Sequence, residues 1–447
     1  MSSSRRSFLA GAVAAASYNR VAGANDRVRV GFIGCGLIGL RHIADFRKLA
    51  DAETAAVCDV YEARLERARA DCGGGARTYR DFRKLLEDTS IDAVVISTPD
   101  HWHALQTIMA CAAGKDVYVE KPMTLFVREG RWMTDAARRW QRVVQTGTQG
   151  RSGPHFREVL PLVREGAIGK VHSVRIGSFR NISPGFGSPA DSAPPPGLDY
   201  DLWLGPAPQR PYNPHRALYH FRWFWDYSGG QMTNLGSHDL DFVHYVLQVK
   251  GPTTVYSSGG RYALTDDNGE TPDTQDAILE YPGVLVAVSI REGGAGRRAG
   301  NGTEFFGTRG SMTVSRGGYE LYPDQRVAPE SQIPPWSNPP GHPQPADIKP
   351  EPWTQAHKGG DRNGEPMDLH ARNFLNCVKS RGKPIADVED GHYVSTACHL
   401  ANLSLRLGRQ LRWDPDREEI IGDREAASHL VRPYRKPWDD VLRSLQS

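Results

Sequence analysis

The sequence predicts an α/β domain with a doubly wound parallel sheet, followed by an α+β domain whose open sheet is mostly antiparallel. Over residues 25–150, strand-like patterns alternate with helical patterns, as parallel sheets with crossover helices require. The first strand runs directly into a glycine-rich turn. Beyond residue 150, apolar patterns of strand length follow one another with few helical patterns between them, which favours antiparallel pairing.

The elements of the first domain follow from the spacing of its apolar residues. Short β-branched or apolar runs indicate buried strands, and apolar residues three and four apart indicate helices. The predicted strands are Val28–Ile33, Thr54–Cys58, Ala93–Ser97, Asp116–Val119 and Val143–Gln145. The predicted helices are Leu40–Leu49, Tyr61–Ala70, Tyr79–Glu87 and one that starts near Trp102 with Asp100 as its cap.

The second domain shows strand patterns first and helical spacing again near the end of the chain. Its predicted strands are Val171–Phe179, Ala277–Tyr281, Leu285–Ile290 and Thr303–Phe306. Helical spacing returns at Asp368–Lys379 and Val388–Leu407. We therefore assign residues 151–365 to a substrate and oligomerisation domain, and residues 366–447 to helices and a tail that pack back on the core. Two proline-rich stretches, 183–197 and 322–353, are expected to form ordered loops or arms.

Three glycines between the first strand and the first helix predict a dinucleotide site. Gly34 allows a tight turn, Gly36 lets the backbone approach a pyrophosphate, and Gly39 permits close packing of helix on strand. The first helical turn, which includes Leu37 and Ile38, offers free N–H groups and a partial positive charge to phosphates. The strand before and the helix after this motif predict a Rossmann unit.

The next strand ends in an acidic residue that bears on the choice of cofactor. Asp59 lies 20 positions beyond Gly39. Its carboxylate can accept hydrogen bonds from the adenosine ribose hydroxyls and would repel a 2′-phosphate. The sequence therefore predicts NAD as the cofactor in preference to NADP.

Composition and charge exclude several classes of partner. The 447 residues are 39% hydrophobic and 24% charged, as in an ordinary globular protein. Residues 1–24 hold three arginines and no acidic residue, which leaves 52 basic and 52 acidic residues beyond them. With its charges balanced, the protein has no excess of basic residues to attract nucleic acid or an anionic membrane. No segment is apolar over enough residues to span a bilayer. The expected partner is a small molecule.

The N-terminus carries the parts of a twin-arginine export signal in the expected order. The pair Arg5-Arg6 lies in Ser4–Leu9, a small apolar run follows at Ala10–Ala16, and Ala22–Ala24 offers a cleavage site. These features predict a signal peptide at residues 1–24 and a periplasmic or other extracytoplasmic location.

The cysteines and histidines predict no metal site. The six cysteines show neither metal-ligand spacing nor a disulfide framework. His101 and His103, or His238 with Asp241 and His244, could be drawn as ligands. Their spacing fixes no coordination geometry, so a histidine beside a nicotinamide is the simpler interpretation.

Several further motifs resemble those of one enzyme family. The matching segments are Gly34–Gly39, Asp59 at its strand end, Ser97–His103, Glu120–Pro122, Thr148–Arg151, Asp201–Pro206, Gly229–His238 and Val388–His392. Together they make the chain similar to the glucose–fructose oxidoreductase/inositol dehydrogenase (Gfo/Idh/MocA) family over most of its length. The Glu-Lys-Pro tripeptide and the Gly-Gly…His segment are more specific to this family than the glycine turn.

The resemblance implies catalytic residues in a cleft over the nicotinamide. Lys121 would lie beside the nicotinamide ribose and a substrate hydroxyl, and His238 matches the family's general acid/base. Asn234 stands where the family usually has Asp, and a neutral amide cannot raise the basicity of a histidine as a carboxylate would. Asn234 is expected instead to orient a sugar hydroxyl.

The remaining predicted contacts divide between cofactor and substrate. The expected cofactor contacts are Thr98, Pro99, His103, Glu120, Lys121 and Gln149. The expected substrate contacts are Arg151, Asn181, Arg222, Trp223, Asn234 and His238. Trp223 belongs to an aromatic-dense run that suits the C–H faces of pyranose rings or, equally, a hydrophobic core.

The predicted function is an exported NAD-dependent oxidoreductase acting on a hydroxyl of a sugar, glycoside or cyclic polyol. Its cofactor is expected to be tightly bound, because no free NAD pool exists outside the cytosol. One alternative is an NAD-dependent glycoside hydrolase that oxidises the ring transiently, with His220 or Tyr227 as an extra base. Another alternative is a non-catalytic sugar-binding protein, because Asn234 replaces the aspartate that the family usually has. The resemblance also implies a homo-oligomer, either a dimer or a tetramer.

Overall fold

The structure is a computed structural model that describes residues 27–296, 302–326, 351–360 and 366–446. The predicted export signal at residues 1–24 and most of the second proline-rich stretch lie outside these residues. Within the described ranges, no helix combines the length and the apolar character needed to cross a membrane.

The first domain alternates strands and helices. Its strands are β1 Val28–Ile33, β2 Ala52–Cys58, β3 Arg77–Tyr79, β4 Ala93–Ile96, β5 Asp116–Val119 and β6 Val144–Thr146. Its helices are α1 Leu37–Phe46, α2 Glu62–Asp71, α3 Phe82–Leu86, α4 Asp100–Ala112 and α5 Val127–Arg139. The strands pair in parallel in the order β3-β2-β1-β4-β5-β6.

This strand order creates a crevice. The order reverses between β1 and β4, and ligands of open α/β sheets bind outside the carboxyl ends of the strands at such a reversal. Every residue of β4 and β5 is buried, because helices cover both faces of a parallel sheet. The sheet is therefore a rigid base for the turns that follow its strands.

The second domain combines helices with a large sheet. Its strands are β7 Val171–Phe179, β8 Thr254–Gly260, β9 Thr274–Tyr281, β10 Val284–Arg291, β11 Gly302–Gly307, β12 Gly310–Ser315, β13 Gly318–Pro323, β14 Gln325–Arg326, β15 Glu351–Pro352, β16 His357–Gly359, β17 Leu411–Asp414 and β18 Glu419–Ile420. Its helices are α6 Pro154–Arg164, α7 Tyr200–Leu204, α8 Gly230–Asn234 and α9 Gly236–Leu247. The chain continues with α10 Met367–Ser380, α11 Val388–Leu407, α12 Arg424–Ser428 and α13 Trp438–Gln446.

The large sheet is mixed but mostly antiparallel. Among the described strands its order is β16-β13-β12-β11-β7-β10-β9-β8-β17-β18, and β7 and β10 pair in parallel. Alternate residues of β9 are buried, as expected for a sheet with one covered face. Leu279 and Val286 on that face share a core with Val243 of α9 and Leu400 of α11. The predicted fold class is confirmed.

The helices near the C-terminus pack on the first domain. Phe374 of α10 is fully buried, with its ring centroid 6.3 Å from that of Phe46 and 5.9 Å from that of Tyr118. Trp438 of α13 meets the ring of Trp102 edge-on, with centroids 4.8 Å apart. These contacts hold α10 and α13 against the first domain.

Two local predictions are wrong. Residues Arg77–Tyr79 form an edge strand rather than the start of a helix. The carboxylate of Asp81 accepts a hydrogen bond from the N–H of Arg83 and so caps the helix that begins at Phe82. Asp100 is the first residue of α4, and its carboxylate accepts a hydrogen bond from Ser228 instead of capping the helix.

Phe374→Ala should destabilise the protein by about 3–5 kcal/mol, because it leaves a cavity between α10 and the parallel sheet. Urea unfolding followed by circular dichroism measures this loss. Asn376→Ala changes an exposed residue of the same helix and is the matched control. Equal stability losses in the two variants would contradict the packing of α10 described above.

Candidate active site

A cleft lies at the carboxyl ends of the parallel strands, where the second domain faces them. The predicted residues that line it from the first domain are Gly34, Gly36, Leu37, Ile38, Asp59, Thr98, Pro99, His103, Glu120, Lys121 and Gln149. The second domain contributes Arg222, Asn234 and His238. The structure therefore brings most of the predicted cofactor and substrate residues into one cavity.

Two glycines of the glycine turn, Gly34 and Gly39, have no room for a side chain. Gly34 has a φ of +88°, and a Cβ on it would lie 2.7 Å from the backbone carbon of Ser97. A Cβ on Gly39 would lie 2.0 Å from the carbonyl oxygen of Gly34. Helix α1 has no side-chain cap and no acidic residue in its first turn. Its first N–H groups, including those of Leu37 and Ile38, therefore suit an anionic pyrophosphate.

Backbone hydrogen bonds fix Asp59 at the edge of the cleft. Its two carboxylate oxygens accept from the N–H groups of Cys35, at 2.7 Å, and Tyr61, at 2.8 Å. Burial raises the pKa of Asp59, while the N–H of Tyr61 and the charge of Arg64 act in the opposite direction. Each oxygen keeps a lone pair for a ribose hydroxyl. The glycine turn and Asp59 together fit NAD.

Glu120 is the centre of a buried network beneath the cleft. Its Oε1 lies 2.7 Å from Nε2 of His42 and accepts a hydrogen bond from Nε2 of Gln149 at 3.0 Å. Its Oε2 accepts from the N–H of Lys121 at 3.0 Å. Burial would raise the pKa of Glu120, but the hydrogen bond and charge of His42 and the charge of Lys121 lower it. The network fixes the backbone from which the Lys121 side chain extends.

His103 joins the loops that follow β4 and β5. Its Nδ1 lies 2.8 Å from the carbonyl oxygen of Pro122, and its Nε2 lies 2.8 Å from that of Thr98. The Thr98 hydroxyl donates to Oε1 of Gln106 at 2.7 Å. Thr98, Pro99 and His103 therefore form a fixed wall of the cleft.

Lys121 connects the two domains across the cleft. Its Nζ donates hydrogen bonds to the side-chain oxygen of Asn234 at 2.9 Å and to the backbone oxygen of the same residue at 3.1 Å. The amide nitrogen of Asn234 donates to Oε1 of Gln231 at 3.0 Å. Because Asn234 is neutral, it holds the ammonium group without cancelling its charge.

His238 is a half-buried histidine in the first turn of α9. Burial lowers the pKa of its imidazole well below the ordinary value, and the charges of Lys121 and Arg316 lower that pKa further. The imidazole is therefore neutral near pH 7 and can accept a proton. A neutral base and an ammonium group that line one cavity can together deprotonate a hydroxyl group.

A second cavity, of about 400 Å³, shares His238 and Gln149 with the cleft. It also contains Asp239, whose carboxylate lies 3.4 Å from the hydroxyls of Ser178 and Thr303. Burial raises the pKa of Asp239 to about 6. Within the described residues, the buried Oε1 of Gln149 has no hydrogen-bond partner. The second cavity thus offers polar groups to a hydroxylated ligand.

Arg151, predicted to contact substrate, joins two helices through ion pairs. It is buried, and its guanidinium group pairs with Asp241 at 2.9 Å and with Asp390 at 3.2 Å. It lines neither cavity. These ion pairs hold the arginine between α9 and α11, and its contact with substrate stays a prediction.

Asn181 and Trp223 also lie outside both cavities. Asn181 is exposed, and its side-chain oxygen accepts from the N–H of Ser183. Trp223 is buried and donates from Nε1 to Glu292 at 2.8 Å. Hydrogen bonds within the second domain engage both side chains, and their contact with substrate stays a prediction.

Neither residue considered as an extra base reaches the cavities. His220 stacks on Phe186 with ring centroids 4.7 Å apart. Tyr227 is fully buried, with its ring centroid 5.0 Å from that of Trp203. Neither lines the cleft or the second cavity.

Several polar residues that line the cleft were not predicted as site residues, among them Arg64, Asp100 and Ser228. Asp100 follows the turn after β4, and that position is a sequence signal for the cleft. Ser228 reaches the cleft only through the fold of the second domain. Within the described ranges, no group of three or more His, Cys, Asp or Glu side chains could hold a metal ion.

Comparison with protein families identifies the chain. Residues 28–148 match the NAD-binding Rossmann fold of the Gfo/Idh/MocA oxidoreductase family. Residues 180–257 and 363–440 match the C-terminal α/β domain of that family. The chain belongs to the Gfo/Idh/MocA oxidoreductase family. NAD is its cofactor, and the predicted choice of cofactor is confirmed.

Two curated relatives of this oxidoreductase differ in their activities. The myo-inositol 2-dehydrogenase of Thermotoga maritima is 28% identical over 291 residues, which are 64% of this chain and 74% of the relative. A glycosyl hydrolase family 109 protein of Shewanella baltica is 38% identical over 157 residues. That match covers 33% of this chain and only 34% of the hydrolase.

Solved structures share the fold. A levoglucosan dehydrogenase in complex with NADH and levoglucosan superposes with a TM-score of 0.64 at 20% identity, covering 87% of this chain and 99% of that one. The WlbA dehydrogenase from Bordetella pertussis, in complex with NADH and UDP-GlcNAcA, gives 0.62 at 21% identity with the same coverage.

Arg316→Met should raise the pKa of His238, because it removes one of the two cations that disfavour the imidazolium form. An NMR titration of selectively labelled histidines measures this pKa, with the His238 signal assigned by its loss in His238→Asn. Arg175→Met, on the exposed outer face of β7, is the control. A lower pKa, or an equal shift in the control, would contradict the stated cause.

Proposed function

We propose that this oxidoreductase oxidises a hydroxyl of a sugar, glycoside or cyclic polyol, or reduces the corresponding carbonyl. The observation that carries the proposal is that His238 and Lys121 line the same cavity as the glycine turn and Asp59. A carbinol in this cavity meets a proton acceptor, a cation and the family's cofactor site together. Oxidation of a carbinol needs acceptors for its proton and its hydride, and the cation stabilises the negative charge that develops on oxygen.

Each residue has a defined part in the reaction. A ring nitrogen of neutral His238 accepts the hydroxyl proton, while Nζ of Lys121 donates a hydrogen bond to the same oxygen and stabilises its developing negative charge. When bound, NAD supplies the acceptor for the hydride that leaves the carbinol carbon. In the reverse direction the imidazolium of His238 returns the proton.

Asn234 acts on Lys121 rather than on His238. Its two hydrogen bonds to Nζ hold the ammonium group within the cleft. Because the amide carries no charge, the field of Lys121 at His238 is undiminished. An aspartate at this position would partly neutralise Lys121 and so raise the pKa of His238.

The sugar or polyol class is supported by the lining of the second cavity and by the relatives. Asp239 and Gln149 present oxygen atoms that can accept hydrogen bonds from hydroxyls. The inositol and levoglucosan dehydrogenases take their names from hydroxylated rings. The ring is proposed to occupy this cavity, with its reacting carbon at His238.

The similarity to glycosyl hydrolase family 109 supports a second candidate activity. In this candidate reaction, oxidation of a ring hydroxyl to a carbonyl acidifies the neighbouring C–H bond. A base removes that proton as the aglycone departs with the electron pair of its bond; water then adds, and the carbonyl is reduced again. Asp239, with its pKa raised to about 6, replaces His220 and Tyr227 as the candidate base.

We further propose a periplasmic location after twin-arginine export, a resident NAD and a homo-oligomer. The paired arginines and the small apolar run at the N-terminus support export. A cofactor that cannot be exchanged outside the cytosol must be reset on the enzyme, either by a second sugar or within one turnover. The exposed Tyr256, Ile278 and Leu285 on the outer face of the large sheet support self-association.

His238→Asn should lower turnover by about a thousandfold while leaving bound NAD in place, because it removes the base but not the cofactor site. Purified protein is mixed with single sugars, cyclic polyols and aryl glycosides, and absorbance at 340 nm and aglycone release are followed together. NAD freed by heat is quantified in parallel. His172→Asn, at an exposed position of β7, is the control.

The outcomes separate the candidate functions. A persistent NADH signal supports net oxidation, and aglycone release without net NADH supports the hydrolase. Bound NAD without turnover of any substrate would favour a non-catalytic sugar-binding protein. Full activity in His238→Asn would refute the assignment of the base.

A further inference from the structure

A segment of the second domain crosses the adenosine end of the cleft. We call residues 197–222 the cover segment. Its start pairs with the residues that follow β2: the N–H of Asp199 donates to the carbonyl of Val60 at 2.9 Å, and the N–H of Glu62 donates to that of Gly197 at 3.1 Å. The cover segment therefore begins directly beside Asp59, where the adenosine ribose is expected.

The other end of the cover segment is tied to the first domain by Arg64. A nitrogen of its guanidinium group donates to the carbonyl oxygen of Leu218 at 3.3 Å. The same guanidinium lies beside the glycine turn, because a Cβ on Gly36 would be 3.6 Å from its Nη1. Arg64, Leu218 and Tyr219 all line the cleft. Arg64 thus spans the cleft between the cofactor turn and the cover segment.

The cover segment is anchored rather than loose. Leu218 has a φ of +62°, which a non-glycine residue adopts only where its surroundings hold it there. Phe221 is buried in an aromatic cluster with Trp203. Arg222 packs its guanidinium over the rings of Tyr219 and Phe221, at 5.6 and 4.9 Å from their centroids. These contacts hold the cover segment in place over the adenosine end of the cleft.

We propose that Arg64 is a cofactor-retaining residue: it binds the adenosine–pyrophosphate part of NAD and, through its bond to Leu218, keeps the cover segment closed over it. A planar guanidinium group suits this role, because it can stack on adenine, attract phosphate and donate to a carbonyl at once. Asp59 on the same side of the cleft accepts the ribose hydroxyls. The inference rests on the proposed tightly bound NAD and names the residue that would retain it.

Nucleotide retention tests the proposal without a substrate. Full-length wild-type, Arg64→Met and Arg67→Met proteins are stripped of nucleotide with charcoal and titrated with NADH by fluorescence. Release of NADH is then timed after mixing with excess NAD. Arg67 is on the same helix, is exposed and pairs at the surface with Asp71, so its variant is the matched control.

Arg64→Met should release NADH about tenfold faster than wild type and bind it about tenfold more weakly, as expected for loss of a charge-assisted contact. Arg67→Met should match wild type. The melting temperature of the stripped protein should fall only slightly in Arg64→Met, because one long, partly buried hydrogen bond is lost, whereas its rise on adding NAD should shrink clearly. Arg64→Gln, measured in the same way, guards against a folding defect specific to methionine.

Unchanged release and affinity in both Arg64 variants would overturn the proposal. So would weaker binding of NADPH with unchanged binding of NADH, which would assign Arg64 to a 2′-phosphate instead. Failure of the proposed function looks different, because no carbinol would be oxidised at saturating NAD while nucleotide binding stayed intact.

Discussion

The hydrogen bonds from Lys121 to Asn234 are the contact on which the active site depends. They join the end of a parallel strand in one domain to a short helix in the other. They also hold a positive charge in the cavity that His238 shares, and that charge lowers the pKa of the imidazole. This interaction therefore joins the two domains across the cleft and adds to the burial that keeps the base neutral.

The buried network below this contact explains why the Lys121 side chain is held in one position. Glu120 binds His42, Gln149 and the backbone of Lys121 together, and His103 joins the neighbouring loop. A lysine side chain has many rotamers, and fixing it costs entropy. Here the backbone at its base and the amide at its tip are both held, so less freedom remains to be lost when substrate binds.

Local chemistry could be predicted from the sequence, whereas contacts distant in the chain could not. The glycine turn, Asp59 and the strand Asp116–Val119 follow from spacing alone, because short-range geometry determines them. Arg151 and Trp223 have the residue types that bind sugars, yet Asp241 and Glu292 engage them in the fold. The roles of Arg64 and Ser228 depend on where the second domain crosses the first, and no local pattern encodes that crossing.

The joint action of Lys121 and His238 on one substrate hydroxyl can be tested by solving an experimental structure of the protein with NADH and a bound cyclic polyol. We expect the nicotinamide beside Lys121 and one polyol hydroxyl within hydrogen-bond distance of both Nζ of Lys121 and the imidazole of His238, with the ring extending toward Asp239. A polyol bound away from His238, or a nicotinamide that leaves Lys121 paired only with Asn234 and remote from the ligand, would contradict it.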